Sequence, residues 1–379
     1  MKRMLRLLFK NKMMKNLLLK YVFAAITLFV LFTGINCRKN PVSPLVNNGA
    51  DTTSHNYAWQ TFILGDGNSS VLYDAAIIND TLIYAVGEIY LKDSTGQFEN
   101  EPYSLAIWNG KSWQLKKLYF YETGGTVIFS DIRGILYLNS TDIWFAAGSI
   151  FHWDGYSEQA LLIYSRLNLP YQTSSVEKLW GINDGNLYAV GNAGTLLFSQ
   201  GGSSWQQLNL GTTANIFDVW GKTDTKTGTT SVYVPVSDLN NDNGIKKIFK
   251  LNGTQVDSIQ WNTGKNVMSV WGTPDGSTMY AAGDGLFENN GKGWDTIPFD
   301  IGTRFFEIKG DASNNIFVRG IRIVPPLNEV IAHYNGSSWH EYPELSGFYN
   351  HGIAVKGKTV IIVGETGNQA VVVIGRRLD

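Results

Sequence analysis

The chain of 379 residues has one cysteine, Cys37, and five histidines. With that single thiol close to the N-terminus, residues 38–379 can form no disulfide, no cysteine zinc site and no thiol nucleophile. The histidines (His55, His152, His333, His340, His351) are scattered, without His-x-His or His-Glu-x-x-His spacing. His333 and His340 bracket a turn and so come near each other, but the pattern predicts solvated turn residues rather than a metal centre. Charged residues are scarce, at 17%, beside 13% aromatics, which excludes a disordered chain or a coiled coil. A useful helical period is missing outside the N-terminal region, which excludes βαβ architectures. Despite 40 glycines there is no Gly-x-Ser-x-Gly elbow, phosphate loop or dinucleotide fingerprint. The formal charge of -1 hides an asymmetry. Seven of the 31 basic residues lie in residues 1–36, which contain no acid, leaving 24 against 32 acidic residues, or -8, for residues 37–379. Nucleic acid is therefore not an expected partner.

Residues 1–20 are basic, and residues 21–35 form an uncharged apolar run. Basic first and apolar second is the layout of a secretory signal peptide. As a helix the run would reach about 22 Å, short of a hydrocarbon core of roughly 30 Å. Arg38–His55 is polar, with Pro41, Pro44 and an Asn-Asn-Gly-Ala-Asp-Thr-Thr-Ser stretch, and reads as a tether. The expected organisation is a signal segment at 1–36, a tether at 37–55 and a folded body at 56–379.

The body is repetitive. Leu179-Trp180-Gly181, Val219-Trp220-Gly221 and Val270-Trp271-Gly272 align, and a short β-rich run follows each. Seven such runs occur: Leu82–Gly87, Ile143–Gly148, Leu187–Gly191, Val232–Val236, Met279–Gly283, Ile316–Gly320 and Val360–Gly364. Their ends are spaced by 61, 43, 45, 47, 37 and 44 residues, the long first interval being ascribed to a polar insert at Leu91–Pro102. In phase with them come Asn109-Gly110, Asp154-Gly155, Gly201-Gly202, Asn252-Gly253, Asn290-Gly291 and Asn335-Gly336, dipeptides suited to tight hairpins. Four are followed three residues later by tryptophan: Trp113, Trp205, Trp294 and Trp339. Each unit reads as three strands, a tight turn and a fourth strand, the content of a propeller blade. The C-terminus ends after Ala370–Ile374 without a fourth strand, whereas Tyr57–Leu64 precedes the first unit and resembles an outer strand, with Trp59 in the place of Trp113. The prediction is an all-β, seven-bladed β-propeller of four-stranded blades whose N-terminal strand completes the last blade and leaves no open edge. A monomer is the expected state.

Two resemblances follow from these residues. Gly34-Ile35-Asn36-Cys37 is similar to a lipobox, although Gly34 and Asn36 depart from its usual pattern. The resemblance implies acylation of Cys37, with an uncleaved membrane anchor or a plain secretory signal as the alternatives. The Asn-Gly-x-x-Trp and Gly-Gly-x-x-Trp copies resemble degenerate Asp-box or BNR-type repeats of bacterial cell-envelope propeller lipoproteins, without the aspartate. That implies export and a lipid-anchored place in the envelope, periplasmic or outer-membrane, and it carries over no catalytic residues. The Trp-Gly repeats also resemble those of photosystem-assembly propellers.

For chemistry, the residue two places before each repeat tryptophan is Lys178, Asp218 and Ser269, with Glu307 at the matching place in the sixth unit. Such positions ring a propeller axis and would line a polar channel. Asp218 and Glu307 are the candidates for a catalytic carboxylate pair. Asp238, Asn240 and Asp242 alternate as in a calcium loop, but Lys246 and Lys247 follow where another acid is wanted, so a polar hairpin insert is the favoured reading. The seven repeat tryptophans read as packing between blades. Trp108, Trp144, Trp153 and Trp261 fall outside both series and are the candidates for a binding surface. The leading functional expectation is a lipid-anchored module that binds a protein or glycan. A carbohydrate-active enzyme and an assembly factor for a membrane complex are the alternatives.

Overall fold

The computed structural model describes residues 52–379 apart from 122–126, 129–130, 184 and 300–301. The basic and apolar N-terminal segment, Cys37 and most of the tether lie outside the described residues. Seven antiparallel meanders are present, spanning 67–116, 134–164, 175–207, 220–259, 267–297, 303–341 and 349–377, the last completed by Tyr57–Leu64. First strands of successive meanders neighbour one another in a closed circuit from blade one through blade seven and back to blade one. The only helical pieces among the described residues are two single 3-10 turns, Arg166–Asn168 and Pro343–Leu345.

Closure is made by hydrogen bonding between the chain's two ends. Tyr57–Leu64 runs antiparallel to Gln369–Arg377, from the Tyr57–Arg377 pair to the Leu64–Ala370 pair. Trp59 pairs with Gly375 at the register where Trp113 pairs with Trp108, so the two tryptophans are equivalent. Gly375 is required because a Cβ there would run into the Trp59 ring.

The core is divided into seven apolar clusters, one for each junction between adjacent blades, including that of seven with one. The two tryptophan series clamp these junctions in opposite directions. On the first strands, Trp180 lies against Gly221 of the next blade, Trp220 against Gly272 and Trp271 against Gly310. A Cβ on Gly272 would sit 2.5 Å from Cη2 of Trp220, which explains the recurring Trp-Gly pair. On the fourth strands the contact runs backward: Trp113 to Phe62, Trp205 to Trp144 and Trp339 to Phe299, at centroid separations of 6.1, 6.0 and 5.6 Å. Burying rings of this size is worth about 1.5–3 kcal/mol each.

One departure concerns blade two, whose sheet has six strands. Tyr119–Tyr121 pairs in parallel with Gln159–Tyr164, and Val127–Ile128 adds a further strand. The long first interval therefore has two sources, the Leu91–Pro102 insert and this added edge.

Candidate functional site

The glycine ending most second-strand runs positions the site. Gly87, Gly191, Gly283, Gly320 and Gly364 each lie so close to the first strand that a Cβ would collide with its backbone carbonyl. Opposite each, the first strand carries a bulge, between Leu72 and Asp74, Val176 and Lys178, Val267 and Ser269, Phe305 and Glu307, and Asn350 and Gly352. A bulge re-aims the following side chain. Asp74, Lys178, Ser269 and Glu307 are those following residues, and Asp218 holds the matching place in blade four. All but Lys178 are buried, and Lys178 is largely so.

These side chains form one ionic network. Lys178 Nζ lies 3.1 Å from Asp74 Oδ2 and 3.6 Å from Glu307 Oε1. Lys309 Nζ donates to both oxygens of Asp218, at 2.8 and 3.0 Å, and stands 3.6 Å from Glu307 Oε1. Arg319 Nε donates to Glu307 Oε2 at 2.8 Å, and Ser269 Oγ donates to Asp218 Oδ2. Three carboxylates thus meet three cations. The ring also fastens neighbouring blades: Asp74 accepts the backbone N–H of Ile135, Ser269 that of Ile308, and Glu307 that of Ile353.

Burial pushes the Glu307 carboxyl upward, but Lys178, Arg319 and Lys309 overcome this and hold it down at about 2. Burial likewise opposes the charged forms of Lys178 and Lys309, and the surrounding carboxylates raise both nonetheless. Asp74 moves the other way: burial raises it despite Lys178. Glu307 is thus held in its charged form, matched by the three cations around it. Asp218 is engaged by an ammonium and a hydroxyl. The two carboxylates expected as a catalytic pair, Asp218 and Glu307, both take part in this charge-matched ring, to which Lys178 also belongs. Sequence reasoning missed Asp74, Lys309 and Arg319. Lys309 had a signal, since Glu307-Ile308-Lys309-Gly310 repeats Ser269-Val270-Trp271-Gly272 with lysine in the tryptophan's place.

The aromatic binding candidates are corrected by burial. Trp108 and Trp144 are 4% exposed and Trp153 1%, so none faces a ligand. Their positions do repeat once strands are aligned by pairing. Trp108 and Trp153 both end third strands opposite Ile83 and Ile143, and Trp144 takes the place of Tyr84. Asp142 accepts the Trp144 indole N–H at 2.6 Å. Trp261 is half-buried against Phe287 and Trp294, at 5.1 Å each, and its indole donates to the Lys265 carbonyl.

His333 is not a solvated turn residue. It is fully buried and paired with His340 across the hairpin, with its Nδ1 3.0 Å from Nδ1 of His55. Burial, then His55 and Arg377, hold its imidazole down at about 3. In the acidic insert, Asp238 Oδ1 accepts the Asn240 N–H, and Lys246 Nζ donates to the Asp242 carbonyl. No group of three or more His, Cys, Asp or Glu side chains is placed to hold a metal ion among the described residues.

Blades six and seven present a different surface. The loop after Asn315–Arg322 exposes Ile323, Val324 and Leu327, the last at 68%, and Tyr349 is 64% exposed nearby. A cavity of about 410 Å³ lies between Leu327, Phe348, Tyr349 and Glu329. Burial raises the Glu329 carboxyl to about 7, against a hydrogen bond from Asn350.

A closed ring of seven four-stranded blades around a polar axis defines a β-propeller. No family model and no curated protein matches the sequence. Among solved structures it is similar to YCF48 bound to a D1 peptide, at 14% identity and a TM-score of 0.57, over 86% of this chain and 100% of that one. YCF48 from Cyanidioschyzon merolae is similar at 12% identity and a TM-score of 0.57, over 84% and 98%. The WD40 propeller domain of Doa1 is similar at 14% and 0.57, over 84% and 97%. At these identities the likeness is one of fold.

Proposed function

We propose that this protein is an exported propeller, anchored in a bacterial envelope membrane through an acylated Cys37, that holds a segment of a partner protein. The observation that carries the reading is the rim of blades six and seven, where Leu327 and Tyr349 stand exposed at a cavity and Ile323 and Val324 are exposed in the loop that carries Leu327. Clustered apolar exposure rimmed by polar residues is the usual mark of a protein-binding surface. A rigid scaffold that presents loops for recognition needs no chemistry of its own. The solved YCF48 complex with a D1 peptide supports the reading, because a propeller of this kind there carries a peptide. The basic-then-apolar N-terminal segment supports the anchor.

The test is a photo-crosslinking residue placed at Tyr349 of the full-length protein in native membranes, with Leu167, 81% exposed and outside this rim, as the comparison site. A discrete adduct from Tyr349, absent from Leu167 and lost when Leu327→Asp is added, is the expected result. Equal adducts from both sites, or none from Tyr349, overturn the rim assignment. Separately, Cys37→Ser should release the protein from membranes and abolish fatty-acid labelling. A mature chain that retains residues 1–36 overturns the anchor.

A further inference from the structure

We infer that the central channel is a binding site for a neutral polyhydroxylated ligand, such as the end of a sugar, which places one hydroxyl against Oε1 of Glu307. This goes beyond the rim reading and uses none of its residues. A cavity of about 290 Å³ opens along the axis, lined by ring residues, by Trp180, Trp220 and Trp271, and by Ala354. Its origin is a break in the repeat. Three blades fill the place two residues past the ring with an indole, blade six has Lys309 there, and blade seven has only Ala354. The resulting volume is near the lower end for small-molecule sites.

Glu307 is 2% exposed, and its Oε1 has no hydrogen-bond partner. The other oxygen is engaged by Arg319 Nε and the Ile353 N–H. Lys178 Nζ and Lys309 Nζ each stand 3.6 Å from Oε1, beyond direct hydrogen bonding. A group seated among these three atoms must accept from two ammoniums and donate to a carboxylate. A carboxylate accepts but has nothing to donate, and a carboxylate or a phosphate would set like charge against Oε1. An ammonium donates but cannot accept. A hydroxyl does both. The indoles and the Ala354 methyl supply apolar wall suited to the C–H faces of a sugar ring.

The test uses full-length protein in detergent, with myo-inositol and methyl β-glucoside as neutral probes and acetate and methylammonium as charged ones. Saturation-transfer NMR and titration calorimetry report binding. Saturable binding of at least one neutral probe is expected, with acetate and methylammonium failing to bind or compete. Ala354→Phe, which fills the chamber and leaves every ring charge in place, should weaken it at least about tenfold. Glu307→Gln should weaken it by about the same factor, the worth of one charge-assisted hydrogen bond. If Glu307→Gln fails to fold, Ala354→Phe still decides. Three outcomes overturn the inference: no neutral probe binds, leaving the cleft to water alone; Ala354→Phe binds as the parent does; or acetate displaces the neutral probe.

Discussion

Glu307 and Glu329 belong to the first and third strands of the same blade, and both are nearly closed to solvent, at 2% and 8% exposure. Burial pushes both carboxyls upward, yet one rests at about 2 and the other at about 7. The difference lies in what each strand faces. The first strand borders the axis, where Lys178 arrives from blade three and Lys309 and Arg319 from blade six itself. On the third strand Glu329 instead meets the side-chain amide of Asn350, from the first strand of blade seven, with Arg319 acting only at a distance. Arg319 links the two, since it donates to Glu307 and, through Nη1, to the Asn350 carbonyl at 3.2 Å. The number of cations within reach thus separates these two buried acids, and Asp74, on a first strand but paired with Lys178, is raised by burial as Glu329 is. An unmatched group on a rim is one that a bound partner can satisfy.

The largest effect expected from this contrast is that of Glu307→Gln at neutral pH. Removing one anion leaves three cations facing two carboxylates in a buried setting, and breaking such a network costs about 3–5 kcal/mol. Urea unfolding at pH 7 should show the loss as a lowered midpoint. A change below about 1 kcal/mol would mean that solvent already screens the ring. The pH dependence has a definite sign. The folded Glu307 pKa lies below the unfolded value, so its contribution is present above about 4.5 and is lost as pH falls toward about 2.

Much of this contrast could be read from the sequence, and the parts that could not have identifiable causes. Lys178, Asp218 and Ser269 were legible because each precedes a repeat tryptophan by two places. Asp74 was not, because blade one has Ala76 where the tryptophan would be. Arg319 sits on a second strand and reaches the ring only through the Glu307–Arg319 cross-strand pair. Ring closure was legible because Trp59 repeats Trp113. The added strands of blade two were not, since parallel pairing of Tyr119–Tyr121 with Gln159–Tyr164 joins distant segments with no turn between them. Trp108, Trp144 and Trp153 were misjudged because linear spacing cannot show register. Gly148 lies one place out of step with the other runs, which hides the equivalence of Trp144 with Tyr84.

Glu329→Gln should act in the opposite sense and less strongly. The folded pKa of Glu329 stands above the unfolded one, so its contribution is present below about 4.5 and is lost as pH rises through about 7. At pH 8 the parent holds a poorly matched buried charge, and the Gln variant should be more stable by about 1–3 kcal/mol. At pH 4 the two should unfold together. Paired urea curves at pH 4 and pH 8 measure this, and a Gln variant less stable at both pH values would mean that Glu329 is matched after all.

Salt separates buried matching from surface pairing and is the smallest of the effects. Between 0.1 and 1 M salt the screening length falls from about 10 to about 3 Å, which affects mainly charges in contact with water. The Arg376–Asp80 pair, at 3.9 Å with side chains 40% and 74% exposed, is of that kind. Asp80 also accepts from Thr359 Oγ1, so part of what Asp80→Asn removes is a hydrogen bond that salt leaves in place. Its cost should be about 0.5 kcal/mol at 0.1 M, with the ion-pair share gone at 1 M. The cost of Glu307→Gln should change by less than about 0.5 kcal/mol over the same range, because the charges that face it are largely withdrawn from solvent. If high salt instead removes most of the Glu307→Gln penalty, the axis is open to ions, and the network there is held together as a surface pair is.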